Sequence, residues 1–427
     1  MDAIKEIRFS DLGGNFTPRK LLSKTKGDKV IWALVILLTL VSLLAVYSAT
    51  GSLAYKNYKG NTEIYLFKQI AFIIGGLLVI YFAHLVNYTI YSKIATILFL
   101  LSIPLLFYTL FFGVKMNEGS RWIRLPIINM TMQTSDLAKL ALFMYIARLL
   151  SKKQNVIKDF KKGFLPLMIP VGIICMLIAP ANLSTALLLG ASCLVLLFIG
   201  RAQVKHILLV IGIAMIPLLF LIIAAIARHK AGDDGKPVAK ATSSGIFTRM
   251  STWVSRVENF MYAGEEAGDD EMYQVNQAKM AIANGGTFGV GPGNSTIRNY
   301  LPQAYNDFIF AIIIEEYGIL GGAFILFVYL VFLYRCIRIF KRCPFAFGAF
   351  LALGLSFTLA IQALINMAVT VNLFPVTGVT LPLVSMGGTS FIFTCLSIGI
   401  ILSVARNVEQ QEAPAVLPNE EETVPAL

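Results

Sequence analysis

Charge is scarce in this sequence. Only 14% of its 427 residues are Asp, Glu, Lys or Arg, whereas 57% are hydrophobic; an ordinary soluble domain carries about 25% charged residues. A single water-soluble core is excluded as well, because such cores stop growing at roughly 250–300 residues. Histidine is nearly missing. Three scattered residues argue against a histidine-based metal centre. The five cysteines, Cys175, Cys193, Cys336, Cys343 and Cys395, mostly lie in or beside apolar runs without paired metal spacing, and they read as helix packing. No short apolar segment followed by a small-residue cleavage site occurs near the start, so the first apolar run is expected to span a membrane and stay. No Gly-Lys-Ser/Thr follows the glycine-rich stretch from Gly285 to Gly293. That stretch is therefore not a phosphate-cradling loop, and reads as a tight turn that lets backbone approach a neighbour closely.

What the sequence does have is long apolar runs. A spanning helix needs roughly 20 mostly apolar residues. Such runs occupy 30–49, 65–86, 88–112, 135–150, 164–181, 183–200, 206–227, 307–334, 345–370 and 383–405. Ten spans leave both termini on one side. Lys5, Arg8, Arg19, Lys20, Lys24, Lys26 and Lys29 precede the first span, and Arg148, Lys152, Lys153, Lys158, Lys161 and Lys162 follow the fourth. Arg201 and Lys205 follow the sixth, and Arg335, Arg338, Lys341 and Arg342 the eighth. All fall on one face under this count, which the positive-inside rule makes cytoplasmic. The net charge of +12 is thus a statement about topology, not about nucleic acid. The expected fold is an all-α integral membrane protein of about ten transmembrane helices with both termini cytoplasmic. A basic tail (1–28) precedes the membrane domain (29–406), and an acidic, disordered tail with Glu409, Glu412, Glu420, Glu421 and Glu422 follows it (407–427). Of the outer connections, 113–134 is moderate, and 228–306 forms a large extracytoplasmic loop between helices 7 and 8. In that loop Ile246, Phe247, Met250, Trp253, Val254, Val257, Phe260 and Met261 share one helical face, as in a helix lying at the interface or packed on other loops.

Charges inside spans are expensive and point to function. Asp136 and Lys139, i and i+3 near the outer end of the fourth span, form either a structural pair or a cation facing an anionic lipid headgroup. Arg121 and Arg124 flank Trp122, a pattern that suits a phosphate clamp or an interfacial anchor. Asp307, Glu315 and Glu316 stand in the outer half of the eighth span. They imply a polar cavity there, or a capped helix start with glutamates paired to bases. Glu265, Glu266, Asp269, Asp270 and Glu271 form an acidic run that is either a solvated loop or a source of catalytic acid.

The order of these segments resembles the SEDS (shape, elongation, division, sporulation) family of ten-span glycosyltransferases. The resemblance runs from about 30 to 406. Its marks are Gly119-Ser120-Arg121-Trp122-Ile123, Gln133-Thr134-Ser135-Asp136 with Lys139, Tyr273-Gln274 with Gly285-Gly286, and Leu301-Pro302. They continue with Asp307-Phe308-Ile309-Phe310-Ala311, Glu315-Glu316-Tyr317-Gly318, Pro375-Val376-Thr377-Gly378, Leu381-Pro382 and Ser385-Met386-Gly387-Gly388-Thr389-Ser390. Within the family the chain is more similar to the division-type (FtsW-like) branch than to the elongation-type (RodA-like) branch. It departs from the family pattern at Thr134 and Asp136, at Pro180-Ala181-Asn182-Leu183-Ser184-Thr185, at Met386 and Thr389, and in the spacing of the acidic loop.

The resemblance implies a peptidoglycan glycosyltransferase that polymerises lipid II at the outer membrane face during cell division and releases undecaprenyl pyrophosphate. It implies a general base among Asp269, Asp270 and Glu266, with the aspartates favoured. Arg121, Arg124 and Lys139 would neutralise the leaving pyrophosphate; Gln133, Asp307, Glu315, Glu316, Ser385, Gly387 and Gly388 would line the substrate site. A divalent cation (Mg or Mn) could share the neutralisation, although no definite ligand set is visible. The implied partners are lipid II, a class B penicillin-binding transpeptidase, other division-complex proteins and membrane lipids, with no nucleic acid. The implied location is the bacterial inner membrane at the division septum. Two other readings stand beside this one, a lipid II flippase and a non-catalytic division scaffold. The flippase reading lacks the internal repeat such transporters carry.

Overall fold

A bilayer offers no water to main-chain N–H and C=O groups, so apolar runs become helices that satisfy those groups internally. The computed structural model describes residues 26–51, 63–116, 119–124, 131–233, 253–257, 270–302 and 304–412. Helices α1 (Lys29–Ala49), α2 (Glu63–Leu85) and α3 (Tyr88–Phe112) are followed by three strands, β1 (Val114–Met116), β2 (Gly119–Arg124) and β3 (Thr131–Gln133). Then come α4 (Thr134–Lys153), α5 (Leu165–Ile178), α6 (Leu183–Ile199) and α7 (Val204–Asp233). Helix α8 (Asp270–Gly285) stands within the long connection, and α9 (Ile309–Arg342), α10 (Ala346–Thr370) and α11 (Thr389–Glu412) complete the described chain.

Each expected span coincides with a helix, α1–α7 or α9–α11. Among the described residues, eight helical stretches are long and apolar enough to cross a membrane. The other two fall short for physical reasons. Helix α6 has only 17 residues, and α4 carries Asp136, Lys139, Arg148, Lys152 and Lys153. Helix α4 tolerates this polarity because it lies inside the bundle, packed on α3, α5, α10 and α11. Helix α10 is equally central, with 78% of its apolar window buried, whereas α7 at the edge has 11%. Small residues permit this close packing. A Cβ at Gly354 of α10 would lie 2.9 Å from the Phe143 ring of α4 and 3.1 Å from Leu196 of α6. Gly76 of α2 leaves similar room for Phe391 and Cys395 of α11.

At one end of the bundle the Asp28 carboxylate caps α1 by accepting from Val30 N–H at 2.9 Å, and it also pairs with Arg335 of α9 at 2.6 Å. Gly27 N–H donates to Glu409 at 2.8 Å, and Arg342 meets Glu412 at 3.5 Å. The start of α1 and the ends of α9 and α11 therefore gather at one end, as the alternation of ten spans requires. Arg335, one of the basic residues expected on the cytoplasmic face, is half-buried and pairs with Asp28. One expectation changes here. The stretch 407–412 is helical, because Glu409 and Glu412 are engaged by Gly27 and Arg342; the remainder of the acidic tail lies outside the described residues.

The outer connections also differ from expectation. The 113–134 segment contains a three-stranded antiparallel sheet in the order β1-β2-β3, with Trp122 opposite both Val114 and Gln133. Helix α7 runs on to Asp233. Of the amphipathic segment 246–261, only 253–257 is described. That turn is packed on protein, with Val254 buried against Leu221 and Ala225 of α7.

The glycine-rich stretch does make the close approach its composition suggests. Helix α9 breaks at Gly318 (φ 70°, ψ −176°), a conformation essentially reserved for glycine. The freed groups are laced to the turn after α8: Ile319 N–H donates to Gly286 O at 2.9 Å, while Val290 and Gly291 donate to the Glu315 and Glu316 carbonyls at 2.9 and 3.0 Å. A Cβ at Gly318 would sit 2.1 Å from the Thr287 carbonyl oxygen. Gly318→Ala therefore combines backbone strain with a main-chain clash, and is expected to destabilise the protein by about 3 kcal/mol or more. Thermal unfolding of the detergent-solubilised variant checks this; an unchanged transition would mean the break at Gly318 is not required.

Candidate active site

Strand β3 runs directly into α4, so Gln133, Thr134, Ser135 and Asp136 pass from sheet edge to first helical turn without a loop. Gln133 Nε2 donates to Ser135 Oγ at 2.9 Å. One turn on, Lys139 Nζ lies 2.7 Å from Asp136 Oδ1, with side-chain exposures of 14% and 5%. The carboxylate is favoured at a helix N-terminus, but its second oxygen, Oδ2, is buried with no hydrogen-bond partner among the described residues. A buried charged acceptor left open is costly, and this one faces a cleft.

That cleft lies between α4, α10 and α11. Asp136 and Lys139 form its α4 wall, Thr358 and Gln362 its α10 wall, and Ser390, Thr394 and Ser397 its α11 wall; Phe143, Leu355 and Phe393 supply apolar surface. Gly387 and Gly388 lead into the N-terminus of α11, Gly388 with φ 53°. Thr389 Oγ1 donates to Thr131 O at 3.1 Å, which fixes this helix start to β3 beside Gln133. The N-terminus of a helix carries partial positive charge and unpaired N–H donors. The Asp136–Lys139 pair thus faces a small amphipathic space closed on the other side by the first turns of α11.

The cleft depends on a non-helical segment between α10 and α11 that is packed inside the bundle. Its carbonyls cannot turn to water, and side chains of three helices satisfy them. Asn366 donates to Val379 O at 2.7 Å and to Asp307 O at 2.8 Å, and Gln362 donates to Thr380 O at 3.0 Å. Tyr329 donates to Pro382 O, and Ser42 to Val384 O at 2.7 Å. Held on both sides, Leu383 adopts φ 62°, a strained value for a bulky side chain. Ser385 is buried and positions this segment: its hydroxyl donates to Asn306 O at 2.6 Å and accepts from Leu381 N–H at 2.8 Å.

The expected site residues separate accordingly. Lys139 lines the cleft, and Gln133, Gly387 and Gly388 lie beside it. Asp307 is half-buried in the turn before α9, not in the helix, whose N-cap is Phe308. Glu315 and Glu316 do not form the polar cavity expected of them. Glu315 accepts from Asn284 at 2.8 Å, from Ser295, and from the backbone of Thr296 and Ile297 at 3.1 and 3.3 Å, while Glu316 accepts from Ser48. Both are buried, and they bind the turn after α8 and the end of α1 to α9. Arg124 is exposed on β2; the Arg121 side chain lies outside the description, as do Glu266, Asp269 and the side chain of Asp270, the first residue of α8. Among the described residues no group of three His, Cys, Asp or Glu side chains could hold a metal ion.

Sequence reasoning missed the α10 wall, although a signal was present. Thr358, Gln362, Asn366 and Thr370 recur every four residues through an otherwise apolar helix, which places them on one face. Ser390, Thr394 and Ser397 repeat the pattern on α11.

Fold and cleft together define a polytopic helical membrane protein with a cleft of mixed polarity among α4, α10 and α11. The FtsW, RodA and SpoVE family of cell cycle proteins matches residues 28–410, and the chain belongs to that family. It is 31% identical over 388 residues to stage V sporulation protein E of Bacillus subtilis (strain 168), covering 90% of this chain and 98% of that one. It is also 31% identical to a probable peptidoglycan glycosyltransferase FtsW of Geobacter sp. (strain M18), with coverages of 88% and 96%. Among solved structures it resembles a chain of a peptidoglycan synthase complex that coordinates polymerization and crosslinking (TM-score 0.64, 24% identity, 90% of this chain and 99% of that one). It also resembles Thermus thermophilus rod shape determining protein RodA (TM-score 0.59, 22% identity, coverages of 89% and 97%). These two likenesses concern the fold.

Proposed function

We propose that this chain is an inverting peptidoglycan glycosyltransferase, which joins lipid II units into glycan strands at the outer face of the bacterial inner membrane and acts at the division septum. The observation that carries this reading is the Asp136–Lys139 pair at the head of α4, facing the α11 N-terminus across a partly apolar cleft. The family membership and the glycosyltransferase names of its relatives support it.

In the reaction, the acceptor sugar's 4-hydroxyl attacks the anomeric carbon of the lipid-linked donor. The new C–O bond forms as the bond from that carbon to the pyrophosphate oxygen breaks, and the hydroxyl proton passes to a carboxylate. An α-linked donor gives a β-linked product in one displacement, so one base suffices and no covalent glycosyl intermediate is needed. The leaving group departs as undecaprenyl pyrophosphate, and in this reading Lys139 and the α11 N-terminus offset its charge. Arg121 and Arg124 on β2 are the further candidates for that task. Asp269, Asp270 or Glu266, in the connection that ends at α8, takes the proton. A divalent cation, if used, would supply charge neutralisation at the pyrophosphate and would draw its carboxylate ligands from this same acidic run.

A class B penicillin-binding transpeptidase is the proposed partner. The test is to supply lipid II to the purified protein with that partner and to resolve the products on a gel. Glycan polymer is the expected result. Its absence under every partner and metal condition, with labelled lipid II instead moved across a vesicle membrane, would overturn the polymerase reading in favour of a flippase.

A further inference from the structure

The end of the bundle opposite the cleft carries a second organised feature. The α4–α5 connection is a built structure: a 3-10 turn (Gln154–Val156) and a π-helical turn (Phe160–Phe164). Asp159 accepts from Lys162 N–H at 2.9 Å, and Lys153 Nζ donates to Lys162 O at 2.8 Å. Gly163 is pressed so close to the preceding turn that a Cβ there would lie 2.0 Å from the Val156 carbonyl oxygen. Phe160 and Phe164 flank the His206 ring at 5.0 and 5.3 Å, which brings the start of α7 against this connection. Gly200 packs on Leu150, which brings the α6–α7 turn against the end of α4.

These contacts gather Lys152, Lys158, Lys161, Lys162, Arg201 and Lys205 at one corner, all exposed. Asp159 is the only acid of the two segments, and its carboxylate is engaged by backbone. Arg201 adopts φ 68°, a backbone conformation that glycine fills without strain, so the charge is kept where the local geometry disfavours any side chain. Orienting a helix by positive charge requires none of this architecture. The corner is also apolar at its flank, where Leu165, Val204 and Leu208 are 40%, 52% and 59% exposed. Free phosphate would make no use of that surface; acyl chains would cover it.

We propose that this corner is a binding site for an anionic phospholipid, with its phosphodiester among the lysines of the α4–α5 connection, Arg201 and Lys205, and its acyl chains along Leu165, Val204 and Leu208. The full-length protein in nanodiscs of phosphatidylcholine doped with phosphatidylglycerol is released into a mass spectrometer, and retained lipids are counted. Wild type is expected to retain phosphatidylglycerol preferentially. Each cation near an anionic headgroup is worth about a fivefold change, so Lys161→Ala/Lys162→Ala is expected to lower that retention by roughly 25-fold. Arg201→Gly is expected to lower it about fivefold while the thermal transition holds or rises, because glycine suits the backbone there. The control Arg338→Ala/Lys341→Ala, at exposed basic positions of the same end, is expected to leave retention unchanged. Equal loss in the control, no preference for phosphatidylglycerol, or displacement of the lipid by inorganic phosphate would each overturn the proposal.

Discussion

Replacing Lys139 is expected to lower glycan polymerisation by about 100- to 1000-fold, the range seen when one preorganised donor to developing negative charge is lost. A single substitution would mislead. Asp136 and Lys139 are 2.7 Å apart and mostly buried, so Lys139→Ala leaves an unpaired buried carboxylate, which costs about 3–5 kcal/mol. Lost activity could then report lost fold. The double variant Asp136→Asn/Lys139→Met removes both charges and keeps the volume, and replacing a buried pair together is close to neutral for stability. The double variant is therefore expected to unfold at nearly the wild-type temperature, yet to make glycan at the rate of the most impaired single variant. The ammonium is gone from the cleft, so substrate affinity should weaken along with turnover. If the double variant polymerised lipid II normally, the pair would be purely structural, and neutralisation of the leaving group would fall to Arg121 and Arg124.

This separation of structural from chemical charge was only partly legible in the sequence. Apolar runs located the long helices, because a bilayer allows few other solutions, and eight helical stretches of the described residues are long and apolar enough to cross a membrane. The pairing of Asp136 with Lys139 followed from i,i+3 spacing. Partners distant in sequence were not legible. Nothing around Glu315 or Glu316 announces Ser295 or Ser48, yet those contacts turn two suspected ligand groups into clamps. Asp28 and Arg335, 307 residues apart, are a similar case. The strands β1–β3 are too short for their alternation to stand out against a polar loop. The polar stripe of α10 was readable in principle, but uncharged Thr, Gln and Asn raise no alarm in a hydropathy scan.

The other large effect concerns the acid. A carboxylate general base typically contributes about 100- to 10,000-fold, so exactly one of Asp269→Asn, Asp270→Asn and Glu266→Gln should reduce polymer to background, provided a single carboxylate takes the proton. Amide replacements keep size and remove only basicity, which separates proton transfer from loop packing. The affected position should recover part of its activity when the acid is restored at a different length, as Asp→Glu or Glu→Asp. Local structure bears on the choice. Asp270 is the first residue of α8, and Asp269 and Glu266 precede it in sequence. The far end of α8 is fixed to the break in α9, through Asn284 and Glu315 at 2.8 Å. Glu315→Gln should therefore reduce turnover modestly by loosening that anchorage, and it should leave the acid limb of the pH profile in place, because Glu315 does not take the proton. Loss of the base itself removes that limb along with the activity. If all three amide variants remained active, the base would lie elsewhere. Asp307, half-buried in the turn before α9 and with its carbonyl held by Asn366, would then be the next carboxylate to replace.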